Sequence, residues 1–168
     1  MKILFLGISG FPKGLASIDK QRLLAKGVME KGDQVEVVCS FGVHLKNGFK
    51  RSNSFEGIKY RYTSLFSYRP QNFFLRRLNQ TTSKFLETLF LIFQKQDSSI
   101  ALSRNFFHVL IYKLISKAKN SKLVLLSHEH TTTKYRLLSF SFINQYLNNK
   151  YVWRMVDAAL PISDPLAN

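Results

Sequence analysis

The sequence predicts an α/β protein built on a doubly wound, mostly parallel sheet with helices on both faces. Three observations predict this class. Short apolar runs alternate along the chain with longer segments of helical periodicity. Residues 1–40 read as strand, helix, strand, which is the unit that builds a parallel sheet. The length of 168 residues, compared with about 150 residues per domain, predicts a single domain over residues 1–168.

The first strand, helix, strand unit is defined by apolar runs and by its glycines. Residues 2–6 form a short run that is apolar after Lys2. The run is too short for a helix and is followed by a glycine-rich turn, which predicts a buried strand. From residue 16, apolar side chains recur at helical spacing as far as Lys31, and Gly32 supplies the left-handed residue that ends many helices. Residues 35–39 are mostly apolar, with Glu36 as the exception, and rich in β-branched side chains, which favours a second buried strand.

The remaining elements follow the same alternation. Residues 40–57 are polar and contain an Asn47–Gly48 turn signal, so we expect a loop there. Residues 58–62 alternate in the manner of a half-buried strand. Further strands are predicted at 99–103, 122–127 and 158–162, and further helices at 106–119 and 140–155. Elements of this order and length predict a Rossmann-like fold.

The longest predicted helix, residues 72–95, is amphipathic. A helical wheel places apolar side chains in one arc and basic side chains on the far side. The arc contains Phe74, Leu78, Phe85, Leu86, Leu89, Ile92 and Phe93, and the far side contains Arg76, Arg77, Lys84 and Lys95. We expect the arc to pack on the sheet, because burial is the usual fate of such a face. A helix lying on anionic lipid is the alternative.

Composition and charge exclude several classes of protein. A single cysteine, Cys39, excludes an intramolecular disulfide and any multi-cysteine metal site. The longest apolar run, residues 89–93, is far below the ~20 residues of a transmembrane helix. The 25 Lys and Arg against 10 Asp and Glu give a net charge of +15, which favours anionic partners. No zinc-finger, helix-turn-helix or RNA-recognition signature accompanies this charge, so nucleic acid is not the expected partner.

The loop after the first strand is the first candidate site, because ligands of open parallel sheets bind beyond the carboxyl ends of the strands. Its three glycines, Gly7, Gly10 and Gly14, let the backbone approach a phosphate or a sugar. The spacing fits neither G-x-G-x-x-G nor the phosphate-binding loop. No acidic residue ends the second strand at residues 39–40, which argues against a dehydrogenase. A simple tight turn is the alternative.

Two later loops bring charged groups to the same edge of the predicted sheet. Residues 127–133, Ser-His-Glu-His-Thr-Thr-Thr, follow an apolar strand and supply the ionisable groups that acid–base chemistry requires. His128 and His130 also have a spacing compatible with zinc, although no third ligand is visible. A polar loop that caps the next helix is the other alternative. Arg104 follows another predicted strand and is a candidate to bind an anionic group. The alternative is an arginine exposed to solvent without a ligand.

Six segments carry a resemblance to a known family. They are KILFL at residues 2–6, KGLAS at 13–17, AKGVMEKG at 25–32, VEVVC at 35–39, KLVLLSHEH at 122–130 and DAALPIS at 157–163. In order and spacing they resemble the N-terminal, acceptor-side domain of family-four glycosyltransferases of GT-B fold. That family has Gly-His between its first helix and second strand, where this chain has Gly32–Asp33.

The resemblance implies transfer of a sugar from a nucleotide-sugar donor to a glycan or lipid-linked acceptor, with no metal or other cofactor. The catalytic residues would be Glu129 and His128, facing the acceptor as proton acceptor or orienting group. Together with the loops above, it predicts substrate binding by Gly10, Phe11, Lys13, Gly14, Arg104 and His130. The family binds the donor mainly on a C-terminal domain, which we do not find in residues 1–168. We therefore expect the chain to be inactive unless that domain or a separate donor-binding subunit completes the cleft.

A binding module without catalytic activity is the alternative function. Its basic surface would recruit an anionic lipid or a phosphorylated ligand, and the binding would weaken with added salt. The sequence predicts a cytoplasmic location, and it leaves peripheral attachment to the inner face of a membrane open.

Overall fold

The computed structural model describes residues 1–13, 16–42, 50–102, 105–127 and 140–161. The chain divides into two compact units, Met1–Asp97 and Ser98–Asn168. The α/β class and the mostly parallel strand arrangement are confirmed. Among the helices of the described ranges, none is both long enough and apolar enough to cross a bilayer.

The first unit combines four strands with two helices. In chain order its elements are β1 (Lys2–Ser9), α1 (Ala16–Glu30), β2 (Gln34–Phe41), β3 (Ser52–Phe55), β4 (Ile58–Tyr62) and α2 (Phe73–Phe93). The strands lie in the order β3-β4-β2-β1. β1 runs parallel to β2, and β2 runs parallel to β4, whereas β3 is antiparallel to β4. The carboxyl ends of β1, β2 and β4 therefore lie at one edge.

The core of the first unit covers both faces of its central strands. Leu4, Phe5 and Leu6 are consecutive in β1 and all fully buried, and so are Val37 and Val38 in β2. Successive side chains of a strand point to opposite faces, so burial of consecutive residues means that both faces are covered. This is why residues 3–6 of β1 and 37–39 of β2 are continuous apolar runs in the sequence.

The second unit has three parallel strands. In chain order its elements are β5 (Ser98–Ala101), α3 (Phe106–Ala118), β6 (Lys122–Ser127), α4 (Phe140–Leu147), a π-helical turn (Asn148–Val152), α5 (Trp153–Met155) and β7 (Ala158–Pro161). The strands lie in the order β5-β6-β7. The helix predicted over 140–155 is thus confirmed, and the structure adds a π-helical turn within it.

Asp157 fixes the start of β7 against β6. Its backbone N–H donates to the Leu123 carbonyl at 2.9 Å, and its carboxylate accepts the Leu123 N–H at 2.8 Å. The other carboxylate oxygen is 2.8 Å from Lys113 Nζ. The hydrogen bond from Leu123 and then the neighbouring Lys113 ammonium hold the pKa of Asp157 below its usual value. The ionised Asp157 carboxylate therefore stabilises the pairing of β7 with β6.

The structure corrects the predicted loop at residues 40–57. β2 continues to Phe41, and Ser52–Phe55 form β3, which pairs with β4 in a hairpin. Glu56 and Gly57 form the turn with positive φ angles of 51° and 82°, as two-residue hairpin turns require. The prediction missed β3 because three of its four residues are polar. The Asn47–Gly48 signal lies outside the described residues.

The structure also overturns the predicted orientation of α2. The apolar arc that was expected to pack on the sheet is largely exposed, with Phe74, Leu78 and Phe85 among its exposed members. The buried residues of α2 are Asn79, Ser83, Glu87 and Leu91. The polar groups of Asn79, Ser83 and Glu87 form hydrogen bonds within the first unit, described below. Apolar side chains turned toward the same place would leave those buried donors and acceptors without hydrogen bonds.

A close backbone crossing follows β2 at Gly42. A Cβ atom at this position would lie 2.4 Å from the Tyr68 carbonyl oxygen and 2.5 Å from its carbon. Both of these neighbours are backbone atoms, so relieving the contact requires the chain to move. In contrast, a Cβ at Gly27 on α1 would meet nothing within 4 Å.

Alanine at these two glycines is expected to act in opposite directions. Gly42→Ala should lower the free energy of unfolding by about 1–3 kcal/mol through overpacking. Gly27→Ala should raise it by about 0.5–1 kcal/mol, since alanine is the better helix former. Urea denaturation of both variants measures the difference. Equal effects of the two substitutions would contradict the crossing at Gly42.

Candidate functional site

Two left-handed glycines lie near the end of β1 and at the start of the loop that follows it. Gly7 has φ 76° and Gly10 has φ 83°, a backbone region that other residues rarely adopt. The pairing of β1 with β2 shifts register between Phe5 and Ile8, around Gly7. Gly10 then donates its N–H to the Phe41 carbonyl at 3.3 Å, which ties the loop to the end of β2. The chain leaves the sheet here in a defined conformation.

The Gly7 amide is turned toward a buried carboxylate. Glu87 of α2 is only 1% exposed. It accepts the Gly7 N–H at 2.6 Å and a hydrogen bond from the Ser40 hydroxyl at the end of β2. A buried carboxylate is costly unless it receives such bonds, so its donors are constrained in position. Glu87 therefore joins α2 to the ends of two neighbouring strands.

Two further polar residues of α2 extend this contact at four-residue spacing. We call Asn79, Ser83 and Glu87 the polar stripe of α2. Ser83 donates to the Ser40 carbonyl, and its hydroxyl lies 3.4 Å from that of Thr63. Asn79 binds both backbone groups of Phe66, accepting its N–H at 3.0 Å and donating to its carbonyl at 3.4 Å. The stripe thus holds β2 and the segment after β4.

Phe11 anchors the loop to the sheet. Its side chain is fully buried, with the ring centroid 5.6 Å from that of Tyr60. Its carbonyl accepts a hydrogen bond from the hydroxyl of Tyr62 on β4. Any contribution of Phe11 to ligand binding therefore comes through its backbone or through the position it gives the loop. Lys13, two residues later, is exposed.

Cys39 and Tyr62, which are buried at this edge, are unsuited to proton transfer. Burial raises the pKa of the Cys39 thiol, and the Glu87 carboxylate adds to the rise. Burial likewise raises the pKa of Tyr62. Both groups stay neutral near pH 7, so neither is an activated nucleophile or base. The described part of this edge presents the exposed Lys13 ammonium, which suits the binding of an anion, while the Gly7 and Gly10 N–H groups are bonded to Glu87 and Phe41.

The predicted site residues are only partly covered by the structure. Gly10, Phe11 and Lys13 lie together on the loop after β1. Gly14, Arg104, His128, Glu129 and His130 lie outside the described residues, so their predicted roles stay predictions. Within the ranges that the structure describes, no group of three or more His, Cys, Asp and Glu side chains is arranged to hold a metal ion.

Sequence reasoning missed Glu87 and the rest of the polar stripe. A signal was present, because Asn79, Ser83 and Glu87 recur every four residues and Glu87 is the only acidic residue of α2. A search for polar residues at helical spacing would have found the stripe. The stripe was missed because the prediction took the apolar arc on the opposite side as the buried face of the helix.

Comparisons with known proteins identify no family for this chain. No family model matches its sequence, and no curated protein matches it either. The function proposed below is therefore inferred from the site and from the resemblance of the six sequence segments.

Replacing Glu87 by glutamine is expected to destabilise the first unit. The amide keeps one acceptor oxygen but turns an N–H₂ group toward one of the two donors, leaving a buried hydrogen bond unmade. We expect a loss of about 1–3 kcal/mol in the free energy of unfolding. Urea denaturation measures the loss, and amide hydrogen exchange should show faster exchange at Gly7.

Glu30→Gln, at the exposed end of α1, is the matched control for Glu87→Gln. It makes the same chemical change on the surface and should alter stability by less than about 0.5 kcal/mol. A Glu87→Gln variant as stable as this control would show that the buried contacts contribute little.

Proposed function

We propose that this chain is the acceptor-side half of a glycosyltransferase that moves a sugar from a nucleotide-sugar donor to a glycan or lipid-linked acceptor. The observation that carries the proposal is the loop after β1. Its conformation is set by Gly7 and Gly10 and by the bond from Gly7 to Glu87, and it presents the exposed Lys13 at the carboxyl edge. A fixed backbone loop and a cation at this edge suit a diphosphate group.

The rest of the proposal comes from the family resemblance. Six segments follow the order and spacing of acceptor-side domains of family-four glycosyltransferases. In that family the donor lies mainly on a second domain, so we infer that a donor-binding domain or subunit completes the cleft. Glu129 and His128 are proposed to face the acceptor, with Glu129 taking the proton from the acceptor hydroxyl.

The first test is binding of nucleotide-sugars to the 168-residue chain. A panel of uridine, guanosine and adenosine diphosphate sugars would be titrated by saturation-transfer NMR. We expect weak binding by at least one member, and a fall of about tenfold in affinity for Lys13→Gln, since a charge-assisted contact to phosphate is lost.

Lys20→Gln is the control for Lys13→Gln. Lys20 is an exposed lysine on α1, so this variant loses the same charge and should bind as the native chain does. If both variants bind as tightly as the native chain, the loop after β1 is not a donor contact. If no nucleotide-sugar binds, residues 1–168 do not bind the donor without a second domain or subunit, and the same variants are compared in the completed enzyme.

The catalytic role of Glu129 is tested in the completed enzyme. With a donor-binding domain supplied, Glu129→Gln should lower kcat by about a hundredfold and leave the donor KM largely unchanged, because a general base acts in the chemical step. Glu30→Gln should leave both parameters unchanged. Turnover by Glu129→Gln equal to that of the native enzyme would remove this residue from the mechanism.

A further inference from the structure

α2 presents its apolar side to solvent and its polar side to the protein. Asn79, Ser83 and Glu87 are buried, together with Leu91. The opposite side of the helix carries four apolar residues, whose positions around the helix axis differ by at most about 40° when each residue advances by 100°. These are Phe74, Leu78, Phe85 and Ile92, all exposed, and we call them the outer face of α2. An amphipathic helix of a globular protein normally has the reverse arrangement.

The exposure of the outer face is large for its side chains. Phe74 is 82% exposed and Phe85 is 63% exposed. Phe73 and Phe93, at the two ends of the same helix, are also exposed. Single exposed apolar residues are common on protein surfaces, but a continuous stripe along one helix marks an interaction site.

The charges around the outer face are all positive. Arg77 is exposed and lies about 60° around the helix from Phe74, and Lys84 lies about two turns further along the same flank. The only acidic residue of α2, Glu87, is buried on the opposite side. The outer face is therefore apolar, is bordered on one flank by the cations Arg77 and Lys84, and has no exposed carboxylate on its own helix.

We propose that the outer face of α2 docks on the surface of an anionic lipid bilayer. Such a surface matches both features, because aromatic and aliphatic side chains enter the boundary between headgroups and acyl chains while Arg and Lys contact lipid phosphates. The net charge of +15 adds a long-range attraction to the same surface. α2 lies flat in this arrangement, with its polar stripe still bound to β2.

This docking does not depend on the proposed transferase function. Docking involves α2, whereas nucleotide-sugar binding involves the loop after β1, so different substitutions test the two proposals. Phe74→Ser with Phe85→Ser should leave nucleotide-sugar binding unchanged. Lys13→Gln should change vesicle binding by less than about twofold, because Lys13 lies on the loop after β1 and not on the docked helix.

The test is co-sedimentation of the chain with lipid vesicles at low ionic strength. We expect binding to vesicles that contain phosphatidylglycerol and much weaker binding to vesicles of phosphatidylcholine alone. The double variant Phe74→Ser/Phe85→Ser should lower the partition coefficient by about tenfold or more, because two buried aromatic side chains are lost. Arg77→Gln should lower it by about fivefold and reduce its dependence on salt.

Leu23→Ser/Leu114→Ser is the matched control. These residues are 65% and 59% exposed and lie on α1 and α3, so the control removes two apolar side chains of similar exposure from other helices. Circular dichroism establishes that both double variants are folded, and only a loss specific to the α2 variant supports the proposal.

Three results would overturn the docking proposal. One is failure of the native chain to bind either vesicle. Another is equal loss of binding in the α2 variant and the control. The third is self-association, detected by analytical ultracentrifugation, that the α2 double variant abolishes while vesicle binding is unaffected; this would identify the outer face as a contact between two copies of the chain.

Discussion

The arrangement of the first unit depends on the hydrogen bonds that the buried Glu87 carboxylate accepts. It receives the Gly7 amide from β1 and the Ser40 hydroxyl from β2, and it comes from a helix that is distant in sequence. Burying a charged group is favourable only when its donors are in place. The same contacts therefore fix the rotation of α2, the end of β2 and the backbone at the start of the loop after β1.

This constraint explains why the strands could be predicted from the sequence while the orientation of α2 could not. A buried strand such as β1 is recognised from its own apolar run, because both of its faces are covered. The rotation of a helix is normally inferred from its apolar side. In α2 that inference fails, because the polar stripe forms hydrogen bonds with Ser40, Thr63 and Phe66. These three residues lie outside α2, so the sequence of the helix alone does not reveal them.

The candidate site was predicted in a similar, partial way. The position of the loop after β1 follows from strand order and from its glycines, and the positive φ angles of Gly7 and Gly10 agree with that reasoning. The burial of Phe11 was not predictable, because it depends on Tyr60 and Tyr62 of β4, about fifty residues away. Local patterns thus located the loop, whereas long-range contacts determined which of its groups are accessible.

The hairpin at the side of the first unit has a consequence for solubility. Within this unit β3 is the outermost strand, and it is four residues long, with Ser52, Asn53 and Ser54 exposed. An unpaired strand edge invites another chain to extend the sheet, and short, polar edge strands discourage such growth. By ending this side of the sheet in a polar hairpin, the chain lowers the risk of amyloid-like strand addition there.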